Sequence, residues 1–298
     1  MGKLEKLIQK LCPDGVEYVP LWQVTIWDKK FNAVERAKQP NVINYPYLLA
    51  ADLFALEKKG GDVFLLSTGE RTGWTTSDLV GNNICEGEVV TIPWGKSRPV
   101  RDVVKYYKGK FVTADNRIAT SANTEVLSNK YLYYWILTQG DLIDTFYRGS
   151  GIKHPSMKDI LDLRIPIPPI PIQQEIVRIL DTFTELEKEL EKELEKRNIQ
   201  YEYYRDNLLS LRYGEVTWMP FNECCIMSRG DYITKKTTTE GNIPVILGGQ
   251  EPAYYIDKSN HNGKAIVISR SGVSAGFVSY WDEPIFVTDG FIIETKKC

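Results

Sequence analysis

The sequence predicts an α+β (mixed α/β) protein: two copies of a domain of short twisted strands, the second partial, on either side of one long coiled-coil helix. Three observations predict it. First, Gly87-Glu88-Val89-Val90-Thr91-Ile92 recurs as Gly263-Lys264-Ala265-Ile266-Val267-Ile268. Each copy continues through a Gly/Ser-containing turn and an aromatic pair, Tyr106-Tyr107 or Tyr280-Trp281. A Phe-Val-Thr strand then begins at Phe111 or Phe286 and leads to an aspartate. The offsets are 176 and 175 residues, so the register holds, and self-similarity at a fixed period marks a duplicated unit. Second, Ile172 to Arg212 contains neither Pro nor Gly and carries apolar residues at spacings of three and four, the helical period. Third, 298 residues suit two domains of roughly 150.

Taken in order, residues 4–11 read as an amphipathic helix through Leu4, Leu7, Ile8 and Leu11, ended by the turn residues Cys12-Pro13-Asp14-Gly15. Tyr18-Val19-Pro20-Leu21 opens copy one as Trp218-Met219-Pro220-Phe221 opens copy two, and Tyr45-Pro46-Tyr47 matches Ile243-Pro244-Val245. Strands are predicted at Tyr45–Leu49, Val63–Leu66, Val89–Ile92, Val103–Tyr107 and Phe111–Val112. Helical spacing takes over at 128–147 (Leu132, Trp135, Ile136, then Leu142, Ile143, Phe146), with a break at Gln139-Gly140. The alternating prolines of Arg164-Ile165-Pro166-Ile167-Pro168-Pro169-Ile170-Pro171 forbid a helix and dictate a stiff connector. Pro171 then suits the first turn of the next helix.

That helix runs about 40 residues, on the order of 60 Å. Its stripe cannot be buried by the helix alone. The predicted seam is Ile176, Leu180, Phe183, Leu186, Leu190, Leu194, Tyr201 and Leu208. The plainer reading packs the helix onto its own domain, but its length favours a spacer and assembly surface. The expected domains are 1–170, 171–213 and 214–298. The sequence stops after the strand matching 111–119, so the second copy is expected to lack counterparts of the 128–147 helices, the proline connector and the long helix.

Composition narrows the function. Hydrophobic residues make up 43%, enough for true cores. No apolar run approaches a membrane span, and the N-terminus lacks a signal-peptide core. Five cysteines without a CxxC pair fit reduced thiols in a cytoplasm. Cys224 and Cys225 are expected on opposite faces of a strand, and no metal site is expected. The net charge of -2 hides a basic stretch. Between Pro93 and Arg117 lie Lys96, Arg98, Arg101, Lys105, Lys108, Lys110 and Arg117, against Asp102 and Asp115. Such a patch on a neutral chain is an electrostatic footprint for nucleic acid.

Three segments carry a family resemblance. They are Leu11-Cys12-Pro13-Asp14-Gly15-Val16-Glu17-Tyr18, the run from Gly149-Ser150-Gly151-Ile152-Lys153-His154 through Arg164–Pro171 to Ile172-Gln173-Gln174-Glu175-Ile176-Val177, and Ile243-Pro244-Val245 to Asp289-Gly290-Phe291. The chain resembles the specificity subunit of type I restriction–modification systems, as an N-terminal portion with an incomplete second half. The resemblance implies two target-recognition domains separated by two long antiparallel helices, each domain reading one half of a split DNA site. It implies double-stranded DNA, a modification (methyltransferase) subunit and a restriction (motor/nuclease) subunit as partners. S-adenosylmethionine, ATP and Mg²⁺ then belong to those partners, and this chain carries no cofactor.

The candidate DNA-binding residues are Lys96, Ser97, Arg98, Arg101 and Lys105, in and after the loop Pro93-Trp94-Gly95-Lys96-Ser97, and Arg270 and Ser271 in the matching loop of copy two. Lys and Arg suit phosphate, and Arg pairs bidentately with guanine; a solvated loop with ordinary surface charge is the bland alternative. Arg148, Lys153 and His154 surround a Gly-Ser-Gly turn that either contacts DNA backbone or shapes the domain exit. Asp289…Glu294-Thr295-Lys296 imitates a nuclease acid…E-x-K pattern, but copy one has no Glu or Lys at those places. The methyltransferase N/D-P-P-F/Y motif and the phosphate loop are absent. The sequence therefore points to DNA recognition without catalysis. The alternative is a truncated or silent specificity-subunit allele acting only through its helix. Self-association through the seam is a further expectation, and such a dimer presents two first domains to an interrupted palindrome.

Overall fold

Helix α1 (Lys3–Leu11), strand β1 (Tyr18–Pro20), helix α2 (Leu21–Val24) and strand β2 (Thr25–Trp27) open the chain, followed by α3 (Ala50–Ala55), β3 (Val63–Leu66), β4 (Gly73–Thr75) and α4 (Ser77–Val80). Then come β5 (Cys85–Thr91), α5 (Val100–Val103), β6 (Lys105–Thr113), β7 (Ile118–Ser121), α6 (Asn129–Thr138) and α7 (Gly140–Thr145). β8 (Tyr147–Arg148), β9 (His154–Pro155), α8 (Met157–Leu161), β10 (Arg164–Pro166) and the long α9 (Ile170–Leu209) complete this part. The computed structural model describes residues 2–67, 69–95, 98–114, 117–211 and 216–296. The chain divides into two units, Met1–Glu195 and Lys196–Cys298, with the division inside α9.

In the first unit six strands form one sheet in the order β2-β7-β5-β6-β3-β4. The sheet curls. The end of β3 pairs with the end of β6 (Leu66 with Thr113), yet Lys105, at the start of β6, bonds the carbonyl of Ser67. Eight residues of straight strand span about 26 Å, far more than a lysine reaches, so β6 must bend. The bend falls where Gly87 faces Gly109, and Gly109 has φ +136°, a conformation that favours glycine. Leu66, Val89, Phe111 and Ile118 fill the inside of the curl. α6 covers the other face, and Val90, Ile92, Leu132, Ile136, Ile143 and Ile165 make the main core with Leu21 and Trp27. β1 pairs with β10, which brings the two ends of the domain together.

The second unit contains α10 (Phe221–Cys224), β11 (Cys225–Arg229), β12 (Glu240–Ile246), β13 (Tyr254–Ile256), β14 (Lys264–Ser269), β15 (Val278–Asp282), β16 (Phe286–Val287) and β17 (Gly290–Thr295). Its strands run β11-β17-β14-β15 and β13-β12-β16, the order of the first unit. The registers agree as well. Val90 faces Tyr106 in one unit and Ile266 faces Tyr280 in the other. Phe64 lies parallel to Phe111, and Val245 to Phe286. What is one strand, β6, in the first unit is divided into β15 and β16 at Pro284, which has no N–H for the ladder. The match of Tyr18–Leu21 with Trp218–Phe221 holds, since Pro20 and Pro220 each precede a four-residue helix and then a strand; Ile243-Pro244-Val245, however, lies in the counterpart of β3 and not of Tyr45-Pro46-Tyr47, because Val245 pairs with Phe286 as Phe64 pairs with Phe111.

Some elements differ from expectation. Tyr45–Leu49 is not a strand: it makes a single bridge, Tyr47 to Thr113, because Pro46 lacks a donor and α3 begins at Ala50. Val103 ends α5, and the strand starts at Lys105 and runs on through Phe111 and Val112. Cys224 ends α10 and Cys225 begins β11, so the two are not neighbours on one strand. Among the described residues no helix is long and apolar enough to cross a membrane.

Candidate nucleic-acid interface

Three connections of the first unit meet at one end of the curled sheet: β3 to β4, β5 to α5, and β8 to β9. Trp94, after β5, stacks edge-on against His154, with ring centroids 4.2 Å apart, and His154 Nδ1 lies 3.0 Å from the Trp94 carbonyl oxygen. Arg117 lies over the Trp94 ring at 5.8 Å. The Tyr147 hydroxyl donates to the Pro93 carbonyl at 2.5 Å. Arg98 Nε meets Glu70, from the β3–β4 connection, at 3.0 Å. Lys105 Nζ donates to the Ser67 carbonyl at 2.7 Å and also to that of Gly69.

The structure therefore brings two of the predicted residues together here. Arg98, Lys105 and the Trp94–His154 pair belong to this end, while Lys96 and Ser97 lie outside the described residues. The arginines are not bare. Arg101 is bound to Asp141, and Arg148 meets Asp159 at 3.2 Å. Lys153 has no ion-pair partner among the described residues. Exposed ion pairs of this kind add little stability. A polyanion can displace them.

The matching loop of the second unit is built more tightly. Arg270 Nε meets Asp289 Oδ1 at 2.7 Å, and the Ser271 hydroxyl donates to Asp289 Oδ2. Those two groups hold the Asp289 carboxyl below its ordinary range, the Ser271 hydrogen bond first and the Arg270 bond second. Gly248, at φ +80°, lets the β12 end pass close by: a Cβ there would lie 3.4 Å from the Ser271 carbonyl oxygen. The nuclease-like residues do not converge. Asp289 is engaged with this loop, Glu294 is 3.8 Å from His261, and Lys296 donates to the Asn222 carbonyl at 2.6 Å. Asp289 and Glu294 are about 16 Å apart along an extended strand. Among the described residues no group of three or more His, Cys, Asp or Glu is placed to hold a metal.

The third element is the long helix α9. Its root is buried at Ile172, Gln173 and Glu175. Gln173 accepts from the Ser128 N–H at 2.8 Å and donates to the carbonyls of Val126 at 2.7 Å and Pro168 at 2.8 Å. Glu175 bonds Lys3 of α1 and Arg178, each at 2.7 Å; Arg178, then Lys3, pull its carboxyl down to about 2. Further along, Asp181 receives Lys130 at 2.7 Å and the Tyr134 hydroxyl at 2.6 Å. Residue patterning alone misses Lys130, Tyr134 and Asp181; Gln173 and Glu175 stand in the quoted motif, but their role as an anchor was not readable there. Of the predicted seam, Ile176 packs on the domain's own core and Leu180 is half-buried. Phe183, Leu186, Leu190 and Leu194 are 65%, 47%, 69% and 62% exposed. With Tyr134 they line an open groove of about 670 Å³. Tyr201 and Leu208 are exposed too.

Residues 41–196, just over half of the chain, match the family model for the type I restriction modification DNA specificity domain. The chain is similar to two type I restriction enzyme specificity subunits of Escherichia coli. One is 32% identical over 75% of this chain and 51% of the relative; the other is 30% identical over 55% and 45%. The chain thus spans about half the length of these relatives. A crystal structure of a type I restriction–modification S subunit from M. genitalium shares the fold, with a TM-score of 0.60 and 17% identity over 95% of this chain and 74% of that one. The matched segment contains five of the six strands of the curled sheet, the converging loops and the buried root of α9, and on that match this chain belongs to the type I restriction–modification DNA specificity family.

Proposed function

We propose that this chain is the sequence-reading component of a type I restriction–modification complex. Each unit offers the loops at one end of its sheet to one half of a split double-stranded DNA site. The observation that carries the reading is the shared strand order of the two units, with a basic loop at the same place in each: Arg98 and Arg101 after β5, Arg270 after β14. The chain contributes recognition and no catalytic group. The methyltransferase subunit with its S-adenosylmethionine, and the motor/nuclease subunit with ATP and Mg²⁺, are the partners that act on the bound DNA. The test is selection of a random duplex library by the purified chain together with the modification subunit. Enrichment of two short motifs at a fixed gap supports the reading; no enrichment, or one continuous motif, overturns it.

A second reading rests on the open groove of α9. Its exposed Phe183, Leu186, Leu190 and Leu194 fit the stripe of another long helix, and a second copy of this chain supplies one in antiparallel orientation. Such a dimer presents two identical first units, so its site is an interrupted palindrome. Light scattering at tens of micromolar decides it. A monomer counts against the dimer, as does association that survives Leu186→Glu/Leu190→Glu.

A further inference from the structure

We infer that Lys105 is a positioning residue for DNA recognition, which shapes the β3–β4 connection through Ser67 and Gly69 and does not itself contact phosphate. The inference rests on the reading of the first unit as a DNA reader. Lys105 is one of the cations that residue type alone assigns to phosphate. Its ammonium instead points across the curl and donates to two carbonyl oxygens of another loop, those of Ser67, at 2.7 Å, and Gly69. Two of its three N–H donors are thereby used. The same loop is tied from two further sides and braced within itself. Glu70 meets Arg98 at 3.0 Å, the Ser67 hydroxyl donates to the Arg71 carbonyl at 2.8 Å, and Arg71 reaches Glu57 at 2.5 Å while lying 4.3 Å over the Phe54 ring.

This arrangement is costly for the fold alone. The carbonyl partners are neutral, so the cation is withdrawn from water with little charge compensation. Burial pulls its amine down to about 8, against the opposing pull of Glu70. The unfolded amine, at 10.5, binds more protons than the folded one between those values. Native stability therefore rises with pH over that window, and the charged lysine is a burden at neutral pH. An apolar side chain of the same length removes that burden. What it cannot do is hold Ser67 and Gly69 in place, and that is the role the geometry leaves to Lys105.

The test is Lys105→Met in the full chain, read by melting temperature, by specific and non-specific DNA affinity against salt, and by hydrogen exchange at the Ser67–Arg71 amides. The expected result is an unchanged or raised melting temperature at pH 7 and faster exchange in that loop. Specific affinity falls about ten- to hundredfold, the range for losing one base-pair readout, while the slope of log K against log salt stays the same. A slope shallower by about 0.9, the signature of one lost phosphate contact, overturns the inference. So does an unchanged specific affinity, or a lower melting temperature with equal losses in both affinities. If the methionine variant does not fold, Lys105→Gln keeps an N–H donor without the charge; it is expected to retain the slope, and a loss of about 0.9 overturns the inference there too. Failure of the wild-type chain to bind DNA specifically refutes the DNA reading itself. In that case hydrogen exchange still judges the anchor, and unchanged exchange in the variant overturns it.

Discussion

Replacing Gln173 by leucine should loosen the joint between the recognition domain and the long helix. The residue has no exposed surface, and its amide makes three hydrogen bonds at once: from the Ser128 N–H, to Val126 and to Pro168. Ser128 caps α6, and Pro168 lies in the proline connector just before α9. One side chain therefore fixes two segments, the stretch before α6 and the proline connector, to the first turn of α9. Leucine keeps most of the volume, so cavity formation is minor. The cost is the three bonds, each about 1 kcal/mol net, with more for any backbone group left buried and unpaired. That gives about 3 kcal/mol or above, or roughly 6–12 °C in the melting temperature of a unit of this size. Urea unfolding followed by circular dichroism measures it, with the slope m required to stay constant. A cost below about 1 kcal/mol refutes the claim that Gln173 fastens the helix. Gln173→Glu sharpens the test. It turns the two accepting carbonyls toward a carboxylate oxygen, so it should cost at least as much at pH 7 and recover partly in acid, where the protonated group regains one donor.

Other predictions follow from the same geometry. Glu175, held at about 2 by Arg178 and Lys3, contributes stability that is present above its ordinary value of 4.5 and lost as pH falls towards 2; Glu175→Gln should flatten the acid limb of the stability profile and leave the neutral region's shape unchanged. Asp181→Asn should weaken the second fastening of α9, seen as faster hydrogen exchange over Lys130–Tyr134, since the neutral amide offers one acceptor oxygen where Lys130 and Tyr134 each use one and removes the charge opposite Lys130. The Cys85 thiol is buried and pushed up to about 11 by that burial, so under native conditions it should react with a thiol reagent more slowly than Cys12, Cys224 and Cys225; comparable rates would refute its placement.

The long helix was legible because its signal is continuous: about 40 residues of one period, with prolines before it and nothing to break it. The duplicated sheet was legible because pairing preserves spacing, which is why Val90 opposite Tyr106 reappears as Ile266 opposite Tyr280. The short helices α2, α3, α4 and α8 were not. Each is four to six residues long, below the length at which helix propensity decides anything; packing holds them, as with Leu21 and Leu53, which have no exposed surface. The site divides the same way. The cations stand out as residue types in one stretch, but what they touch lies far away in sequence. Arg101 finds Asp141, Arg98 finds Glu70 and Lys105 finds the Ser67 carbonyl. Nothing local announces those partners, because the curl of the sheet creates them.

On the proposed reading, the partners also bear on how the chain tells its target from non-specific DNA. If Glu70 occupies Arg98 in the free chain, non-specific DNA must compete with a carboxylate before gaining that contact, and the compensation is greatest where the loops fit the sequence. Glu70→Gln frees Arg98 and removes one repulsive charge. At about 8 Å in water that charge is worth about 0.5 kcal/mol against a phosphate, and the exposed pair it breaks about 0–1 kcal/mol. Non-specific affinity should therefore rise about three- to tenfold at low salt, with a salt slope steeper by about 0.9 as Arg98 joins the backbone contacts. Specific affinity should change less if, as proposed, the target site itself draws Arg98 off Glu70. Glu125 is exposed and has no arginine partner among the described residues, so Glu125→Gln makes the same charge change without releasing a cation. It should raise affinity less than about twofold, with no change in slope, once 0.1 M salt screens it. Equal effects of the two substitutions would mean that net charge alone governs binding, and that the carboxylate on Arg98 plays no part in selectivity.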